Sequence, residues 1–148
     1  MSTKLRVLIA DDHQQCRWAL ARFLNPAFDL IGAVSNGRQL VNAAMSLQPD
    51  VIVSDISMPL MSGNQAMESL KSKGYTIPFV LISSDVSEAG TYIKDGAKAF
   101  VAKIDMGVEL ASAVASAYSG ELYVSRSAGT GVPPQQTAAT PYFPLKTT

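Results

Sequence analysis

The sequence predicts an α/β protein whose core is a doubly wound sheet of five parallel strands. Five apolar segments of strand length alternate with five segments of helical period, which argues for a parallel sheet covered by helices on both faces. Among them, residues 51–53 form a run of β-branched apolar side chains suited to a buried strand. The 148 residues, 47% hydrophobic and 16% charged, are enough for one domain with its own core.

The predicted elements follow one another as strand–helix units. The strands are predicted at residues 6–10, 29–34, 50–55, 78–83 and 99–103, and the helices at about 13–24, 38–47, 64–73, 87–96 and 108–120. The first helix carries an apolar face, which is expected to be buried and consists of Cys16, Leu20, Phe23 and Leu24. In the loop after Asp55, Gly63 is expected to permit an otherwise strained backbone.

The composition changes near residue 127. Residues 1–126 are predicted to form the folded domain, whereas residues 127–148 contain four prolines and show no helical or strand period. We therefore predict a flexible Pro/Thr-rich tail at 127–148. The sequence leaves open whether its "PYFPL" stretch (141–145) is a docking motif or a clasp on the domain.

Charge and cysteine content argue against several classes of protein. Twelve basic and twelve acidic residues cancel, which removes the attraction that dominates non-specific binding to nucleic acid or to anionic membranes. The single cysteine, Cys16, cannot form an internal disulfide, and the apolar stretch 5–10 is too short for a secretion signal or a membrane span. We expect a cytoplasmic protein whose partner is another protein or a small anion.

Polar side chains follow the predicted strands at one edge of the sheet. In an open parallel sheet, ligands bind beyond the carboxyl ends of the strands, close to the point where the strand order reverses. The residues at these ends are Asp11 and Asp12 after the first strand, Asp55 at the third, Ser83 and Ser84 at the fourth, and Lys103 at the fifth. We therefore expect these side chains to lie close together.

Such a group of side chains suggests a site for a phosphoryl group. Three carboxylates gathered at one place repel one another, so the site requires a cation, a proton or both. Lys103 supplies one positive charge, and Mg²⁺, which is typically held by carboxylates, waters and a phosphate oxygen, would supply two more. The alternative is that the acids and serines only cap the following helices and that Lys103 is a solvated loop residue.

Four motifs in register resemble one family. "VLIADD", "DISMPLMSG", "VLISS" and "GAKAFVAK" occur in the order and spacing typical of the receiver domain of two-component response regulators, over about residues 4–122. "ADDHQQCR", a lysine that is not followed by proline, and "SGELYVS" are most similar to the NarL/FixJ-type branch. The resemblance implies a five-stranded, flavodoxin-like (βα)5 fold. It also implies a phosphorelay protein whose partners are a sensor histidine kinase or phosphotransfer protein and a downstream protein.

The resemblance implies a role for each residue that matches the acceptor motif. Asp55 would accept the phosphoryl group as the nucleophile. Asp11, Asp12, Asp55 and the backbone carbonyl of Ser57 would bind Mg²⁺, with Asp12 as a direct ligand. Lys103 would pair with the carboxylate at rest and with a phosphoryl oxygen after transfer.

The resemblance also implies switch and tuning residues beside the acceptor. Ser83 would move toward the new phosphoryl oxygens and Phe100 would shift with it, while Ser57 and Asp85 would tune hydrolysis. Phe100 stands where the family pattern has Tyr or His, so its ring cannot donate a hydrogen bond and only its packing would report the state. The output surface is expected on the fourth helix, the fifth strand and the fifth helix.

Two alternative functions remain open from the sequence. A phosphatase of the haloacid-dehalogenase type also uses an aspartyl-phosphate, but its nucleophile lies in Asp-x-Asp after the first strand, where this chain has the adjacent pair Asp11 and Asp12. A receiver-like binding module regulated without phosphorylation is the other alternative. Receivers of this branch commonly carry a helix-turn-helix domain, for which the chain has no room, so no direct DNA binding is expected; homodimerisation is left open.

Overall fold

A six-stranded parallel sheet with helices on both faces forms the molecule, and the computed structural model describes residues 4–131. The strands are β1 (Arg6–Ala10), β2 (Asp29–Val34), β3 (Val51–Asp55), β4 (Phe79–Ser83), β5 (Ala99–Ala102) and β6 (Tyr123–Val124). The helices are α1 (Gln14–Leu24), α2 (Gly37–Leu47), α3 (Gly63–Ser72), α4 (Ala89–Lys94) and α5 (Met106–Ser119). The five predicted strand–helix units are confirmed, and β6 is an additional short strand that was not predicted.

The strand order β2-β1-β3-β4-β5-β6 determines where a site can form. All neighbouring strands pair in parallel. From β1 the chain passes to β2 on one side and later to β3 on the other, so the order reverses between β1 and β3. The loops after these two strands diverge and leave a crevice at their carboxyl ends. Asp11 directly follows β1 and Asp55 ends β3, so both residues border this crevice.

Alternate residues of each strand pack on opposite faces of the sheet and make two apolar layers. Leu8 of β1 and Ile52 of β3 pack with side chains of α2, α3 and α4. Ile9 and Val53, their chain neighbours, pack on the other face with side chains of α1 and α5. Because β1 and β3 are buried on both faces, each contains a continuous apolar run, residues 7–10 in β1 and 51–53 in β3.

The apolar face of α1 is only partly buried. Leu20 and Leu24 are fully buried as predicted, whereas Cys16 is half-buried and Phe23 is exposed. The prediction was therefore wrong for Phe23. Its ring lies at the outer edge of the contact between α1 and α5, where a Cβ added to Gly107 would meet it at 3.5 Å.

The chain after α5 stays packed on the domain. β6 adds to the sheet beside β5, and a 3₁₀ helix follows at Arg126–Gly131. Within this helix Ala128 is fully buried, and the backbone N and the Oγ of Ser127 both donate to the Asp105 carboxylate. The domain boundary predicted after residue 126 thus falls inside a packed helix, because β6 anchors the segment that follows it. The rest of the predicted tail, with "PYFPL", lies outside the described residues.

No helix within residues 4–131 has the length and apolar composition needed to cross a bilayer. The longest described helix, α5, has 14 residues, whereas about 20 apolar residues are needed to cross the hydrocarbon core.

Gly63 places α3 against the end of β3. Its backbone N donates to the Ile56 oxygen at 2.8 Å, and a Cβ at this position would overlap the backbone oxygen of Asp55 and lie 2.7 Å from Ser54 Oγ. The left-handed residue of the loop is Leu60, with a φ of 69°, so the expected reason for Gly63 was wrong. Glycine is required at 63 because two backbone segments approach closely, and this contact fixes the backbone of Asp55.

Replacing Gly63 by alanine is expected to lower the free energy of unfolding by about 1–3 kcal/mol, because the added methyl group has no space. Gly107→Ala is the matched control, since Gly107 also lies in the first turn of a helix and its added Cβ meets Phe23 at an ordinary 3.5 Å. Alanine favours helices, so the control should be unchanged or gain up to about 1 kcal/mol. Urea unfolding measures both free energies. Equal effects of the two substitutions would contradict the close approach at Gly63.

Candidate functional site

Three charged side chains meet at the carboxyl ends of β1, β3 and β5. Asp11 follows β1, Asp55 ends β3 and Lys103 follows β5. The Lys103 Nζ atom lies 3.1 Å from Asp55 Oδ2 and 3.7 Å from Asp11 Oδ2. The side chains of Asp11 and Asp55 are only 2% and 5% exposed, and that of Lys103 is 25% exposed. The structure thus brings together these three residues from the strand ends that the sequence analysis singled out.

Burial and charge act in opposite directions on this ion pair. Burial has the largest effect on Asp55 and raises the pKa of its carboxyl; the hydrogen bond from Lys103 lowers it, and the charge of Asp11 raises it further, so the net shift is upward. Burial lowers the pKa of Lys103, but the hydrogen bond and charge of Asp55, with the charge of Asp11, outweigh burial and raise it. The lysine is therefore held charged, while two carboxylates face one ammonium group.

The acids also form a cluster that is suited to a cation. Asp11, Asp12, His13 and Asp55 each place a ligand atom within 4.8 Å of the others. One carboxylate oxygen, Asp12 Oδ1, is sealed from solvent and makes no hydrogen bond, although His13 Nδ1 lies 3.1 Å away. An unpaired buried oxygen is costly, and oxygens of this kind are the ligands that Mg²⁺ prefers. The three carboxylates of this set therefore fit the Mg²⁺ that the sequence predicts, whereas the imidazole of His13 is not a typical Mg²⁺ ligand.

Helix α1 contributes three neighbours of Asp11 that the sequence analysis did not assign to the site. His13, the N-cap of α1, donates from its backbone N to Asp11 Oδ1 at 2.9 Å. Arg17 donates from Nη1 to the backbone oxygen of Asp11 at 2.7 Å. Cys16 is close enough for the charges of Asp11 and Asp55 to act on its thiol. Cys16 and Arg17 lie three and four residues after His13, a spacing that places them on the same side of the helix as His13 and could have identified them.

Of the predicted tuning and switch residues, Ser57 contacts Asp55, whereas Ser83 and Asp85 make hydrogen bonds within the turn after β4. Ser57 is exposed, and its backbone N donates to Asp55 Oδ1 at 3.3 Å. Ser83 ends β4, and its Oγ accepts from the backbone N of Asp85 at 3.0 Å. The Asp85 carboxylate is exposed and accepts from the N and Oγ of Ser87 at 3.0 and 2.7 Å, which lowers the pKa of Asp85. Ser83 and Asp85 thus hold the turn that follows β4.

Phe100 lies in the core, on the face of the sheet that α2, α3 and α4 cover. Its side chain is fully buried, and its ring stacks on that of Tyr92 of α4 with the centroids 6.1 Å apart and the planes 5° from parallel. The ring of Phe100 has no polar group, so only its packing can respond to a change at the site.

A C-terminal clamp, formed by residues 123–128, is hydrogen-bonded to the end of β5. The backbone oxygen of Phe100 accepts from Ser125 N at 2.9 Å, and the buried Ser125 Oγ accepts from Ala102 N at 2.8 Å. Ala102 directly precedes Lys103 in the chain. The clamp, which the sequence analysis did not foresee, therefore holds the backbone next to the lysine of the site.

An exposed apolar surface lies next to the charged pocket. Trp18 and Phe23 of α1 are 61% and 41% exposed; Ile104, in the 3₁₀ turn Lys103–Asp105, and Val108, in the first turn of α5, are 84% and 89% exposed. Ile104 directly follows Lys103, and α1 packs against α5. We refer to these four residues as the α1–α5 apolar surface. Exposed apolar side chains grouped in this way are typical of protein contact sites.

Sequence comparison identifies relatives over most of the described chain. A sequence profile of the family "Response regulator receiver domain" matches residues 7–115. The transcriptional regulatory protein LiaR of Bacillus subtilis is 33% identical over 121 residues, which are 79% of this chain and 57% of LiaR. The nitrate/nitrite response regulator protein NarL of Escherichia coli is 30% identical over 125 residues, 82% of this chain and 58% of NarL. The chain thus spans a little over half the length of these two relatives.

Solved receiver domains share the fold. The signal receiver domain of the putative response regulator NarL from Mycobacterium tuberculosis superimposes with a TM-score of 0.75 at 27% identity, covering 80% of this chain and 99% of that one. The response regulator domain of Thermotoga maritima CheB gives a TM-score of 0.71 at 26% identity, covering 78% and 97%. These matches agree with the NarL-type resemblance and not with the haloacid-dehalogenase alternative. The chain belongs to the receiver domain family of two-component response regulators.

Proposed function

We propose that Asp55 accepts a phosphoryl group in a Mg²⁺-dependent reaction and so makes this chain the receiver of a two-component phosphorelay. The observation that carries the proposal is the contact between Lys103 Nζ and Asp55 Oδ2 at 3.1 Å, beside an Asp12 Oδ1 atom that is sealed from solvent and makes no hydrogen bond. Phosphoryl transfer depends mainly on positioning the reacting groups and on neutralising their charge. A carboxylate paired with an ammonium group, next to oxygens that fit a divalent cation, supplies both.

In the proposed reaction a carboxylate oxygen of Asp55 attacks the phosphorus of a phosphohistidine. The bond between phosphorus and nitrogen breaks, and its electron pair leaves with the donor imidazole. Lys103, which its carboxylate neighbours keep charged, stabilises the phosphoryl oxygens as a point charge. Asp11, Asp12, Asp55 and the carbonyl of Ser57 would hold Mg²⁺, which supplies further positive charge to the phosphoryl group.

The proposed chemistry is limited to phosphorylation and dephosphorylation of the chain itself. Ser57 and Asp85 lie in the loops that follow β3 and β4, and we assign both to tuning the attack of water on the phosphoryl group. A protein-glutamate methylesterase/protein-glutamine glutaminase of Archaeoglobus fulgidus is 37% identical over 116 residues, but these are only 33% of that protein. An activity of that kind is not part of the proposal.

Phosphorylation would change the positions of Ser83 and Phe100. Ser83 Oγ would exchange its hydrogen bond with the backbone N of Asp85 for one to a phosphoryl oxygen. Phe100, whose ring can respond only through packing, would shift with the end of β5. Because Phe100 and Ala102 are hydrogen-bonded to the C-terminal clamp, the clamp would move as well. The proposed output surface therefore combines α4, β5 and α5 with the clamp.

We propose that the phosphodonor, a sensor histidine kinase or phosphotransfer protein, binds to the α1–α5 apolar surface. A donor that docks there covers exposed apolar side chains and reaches Asp55, because Ile104 adjoins the lysine that contacts Asp55. A downstream protein would bind the output surface. The equal numbers of acidic and basic residues give no net electrostatic attraction to DNA or to an anionic membrane. The proposed location of the protein is the cytoplasm.

Incubation with acetyl phosphate and Mg²⁺ is expected to add a single phosphoryl group to the wild type and none to Asp55→Asn, because the amide is not a nucleophile. Intact-protein mass spectrometry measures the added group. Chelation of Mg²⁺ is expected to abolish labelling. Lys103→Met is expected to slow it by about 100-fold, the order of magnitude for loss of one group that stabilises developing negative charge.

Two further variants serve as controls. Asp85→Asn removes an exposed carboxylate outside the ion pair and should still take up the phosphoryl group. Ile104→Asp should be labelled by acetyl phosphate but should lose transfer from a panel of phosphorylated histidine kinases, which separates docking from chemistry. Equal labelling of wild type and Asp55→Asn would contradict the acceptor assignment. Partner binding that ignores phosphorylation would instead support the binding module regulated without it.

A further inference from the structure

Asp11, His13 and Cys16 form a second group of metal-binding atoms on the α1 side of the pocket. One ligand atom from each residue lies within 4.8 Å of the other two. The group combines a carboxylate oxygen, an imidazole nitrogen and a thiol sulfur, which are the three kinds of donor found in zinc sites. The proposed phosphoryl chemistry uses Asp11 but gives no role to the thiol of Cys16 or the ring of His13.

Asp11 presents one carboxylate oxygen to Lys103 and the other to His13. Its Oδ2 lies 3.7 Å from Lys103 Nζ, on the side of Asp55. Its Oδ1 accepts from the backbone N of His13 at 2.9 Å and lies 3.6 Å from His13 Nδ1. The side chain is only 2% exposed, so its surroundings hold it in this orientation. The carboxylate of Asp11 therefore lies between Lys103 and His13, and both Asp11 and His13 belong to the two groups of ligand atoms.

The position of this group on α1 allows a metal ion to enter and adds negative charge to attract it. His13 is 69% exposed and Cys16 is half-buried, so an ion can arrive from solvent and keep water as a fourth ligand. Asp12 Oδ1 makes no hydrogen bond but lies 3.1 Å from His13 Nδ1, within ion-pair distance. The carboxylates of Asp11, Asp55 and Asp12 are close enough for their negative charges to act on the Cys16 thiol. The same charges favour a cation bound to its sulfur.

We propose that Asp11, His13 and Cys16 bind a zinc-like divalent cation, and that this ion opposes Mg²⁺ binding in the neighbouring pocket. Mg²⁺ prefers oxygen ligands, whereas thiolate and imidazole favour Zn²⁺ and similar ions. Binding exchanges the S–H bond of Cys16 for a sulfur–metal bond, and the proton leaves to solvent. The bound ion neutralises part of the negative charge of Asp11, and this weakens the attraction of the neighbouring pocket for Mg²⁺. Only this antagonism, and not zinc binding itself, rests on the proposed function.

Cobalt(II) is a suitable probe, because a cobalt–thiolate bond gives an ultraviolet charge-transfer absorption that oxygen and nitrogen ligands do not give. Co²⁺ titrated into the reduced, metal-free full chain is expected to produce this absorption, and Zn²⁺ is expected to displace it. Cys16→Ser should lose the absorption, and His13→Gln should weaken Co²⁺ binding by about tenfold or more. Asp55→Asn lacks the phosphoryl acceptor but keeps the three ligands, so it should retain the absorption whether or not the proposed function is correct.

The antagonism is tested separately by the Mg²⁺ concentration that gives half-maximal labelling with acetyl phosphate. One equivalent of Zn²⁺ should raise this Mg²⁺ concentration about fivefold or more in the wild type, which is the lower end of the range for coupled sites. In Cys16→Ser, the Mg²⁺ concentration should be the same with and without Zn²⁺. An unchanged Mg²⁺ requirement in the wild type would overturn the antagonism. The zinc site itself would be overturned by absence of the thiolate absorption, by its persistence in Cys16→Ser, or by its appearance only with dimers that share the ion.

Discussion

The ion pair between Lys103 and Asp55 is the interaction on which the site depends. Two carboxylates, those of Asp11 and Asp55, lie side by side almost completely out of water, where a charge without a partner costs several kcal/mol. One ammonium group at 3.1 and 3.7 Å compensates part of this negative charge. The remaining negative charge is the basis for the proposed binding of Mg²⁺ and a phosphoryl group, and for the proposed second ion at the neighbouring thiol and imidazole.

The parallel sheet imposes this arrangement. Its strands all run in one direction, so their carboxyl ends share an edge, and the reversal of order between β1 and β3 opens a crevice there. Gly63 lets α3 approach the backbone of Asp55, and the capping box of Ser62 and Gln65 fixes where that helix begins. On the other side, Ser125 holds the backbone of Ala102 next to the lysine. These contacts fix the backbone next to Asp55 and next to Lys103.

Much of this could be predicted from the sequence, for physical reasons. Strands buried on both faces leave continuous apolar runs, so the strands were located to within one residue, and the edge rule for parallel sheets then grouped the acids with the lysine. The clamp could not be predicted, because β6 has only two residues. The segment is also held by a hydrogen bond from Ala102 N to Ser125 Oγ, and these residues are 23 positions apart in the sequence. The helical period predicted which face of α1 is buried, but it did not predict where the buried face ends, and Phe23 lies at that edge. Nor does a sequence distinguish a glycine that allows close approach, as Gly63 does, from one with a positive φ.

Carbon-13 NMR titration of the Asp55 carboxyl in the metal-free protein measures most directly how far this group depends on Lys103. Burial should hold the pKa of Asp55 above that of an ordinary aspartate in the wild type. Lys103→Met should raise this pKa further, because the hydrogen bond and positive charge that lower it are lost. Lys71→Met, which removes an exposed lysine bonded to the Asp95 oxygen, should leave it unchanged. A pKa of Asp55 that stays the same or falls in Lys103→Met would contradict the ion pair as the basis of the site.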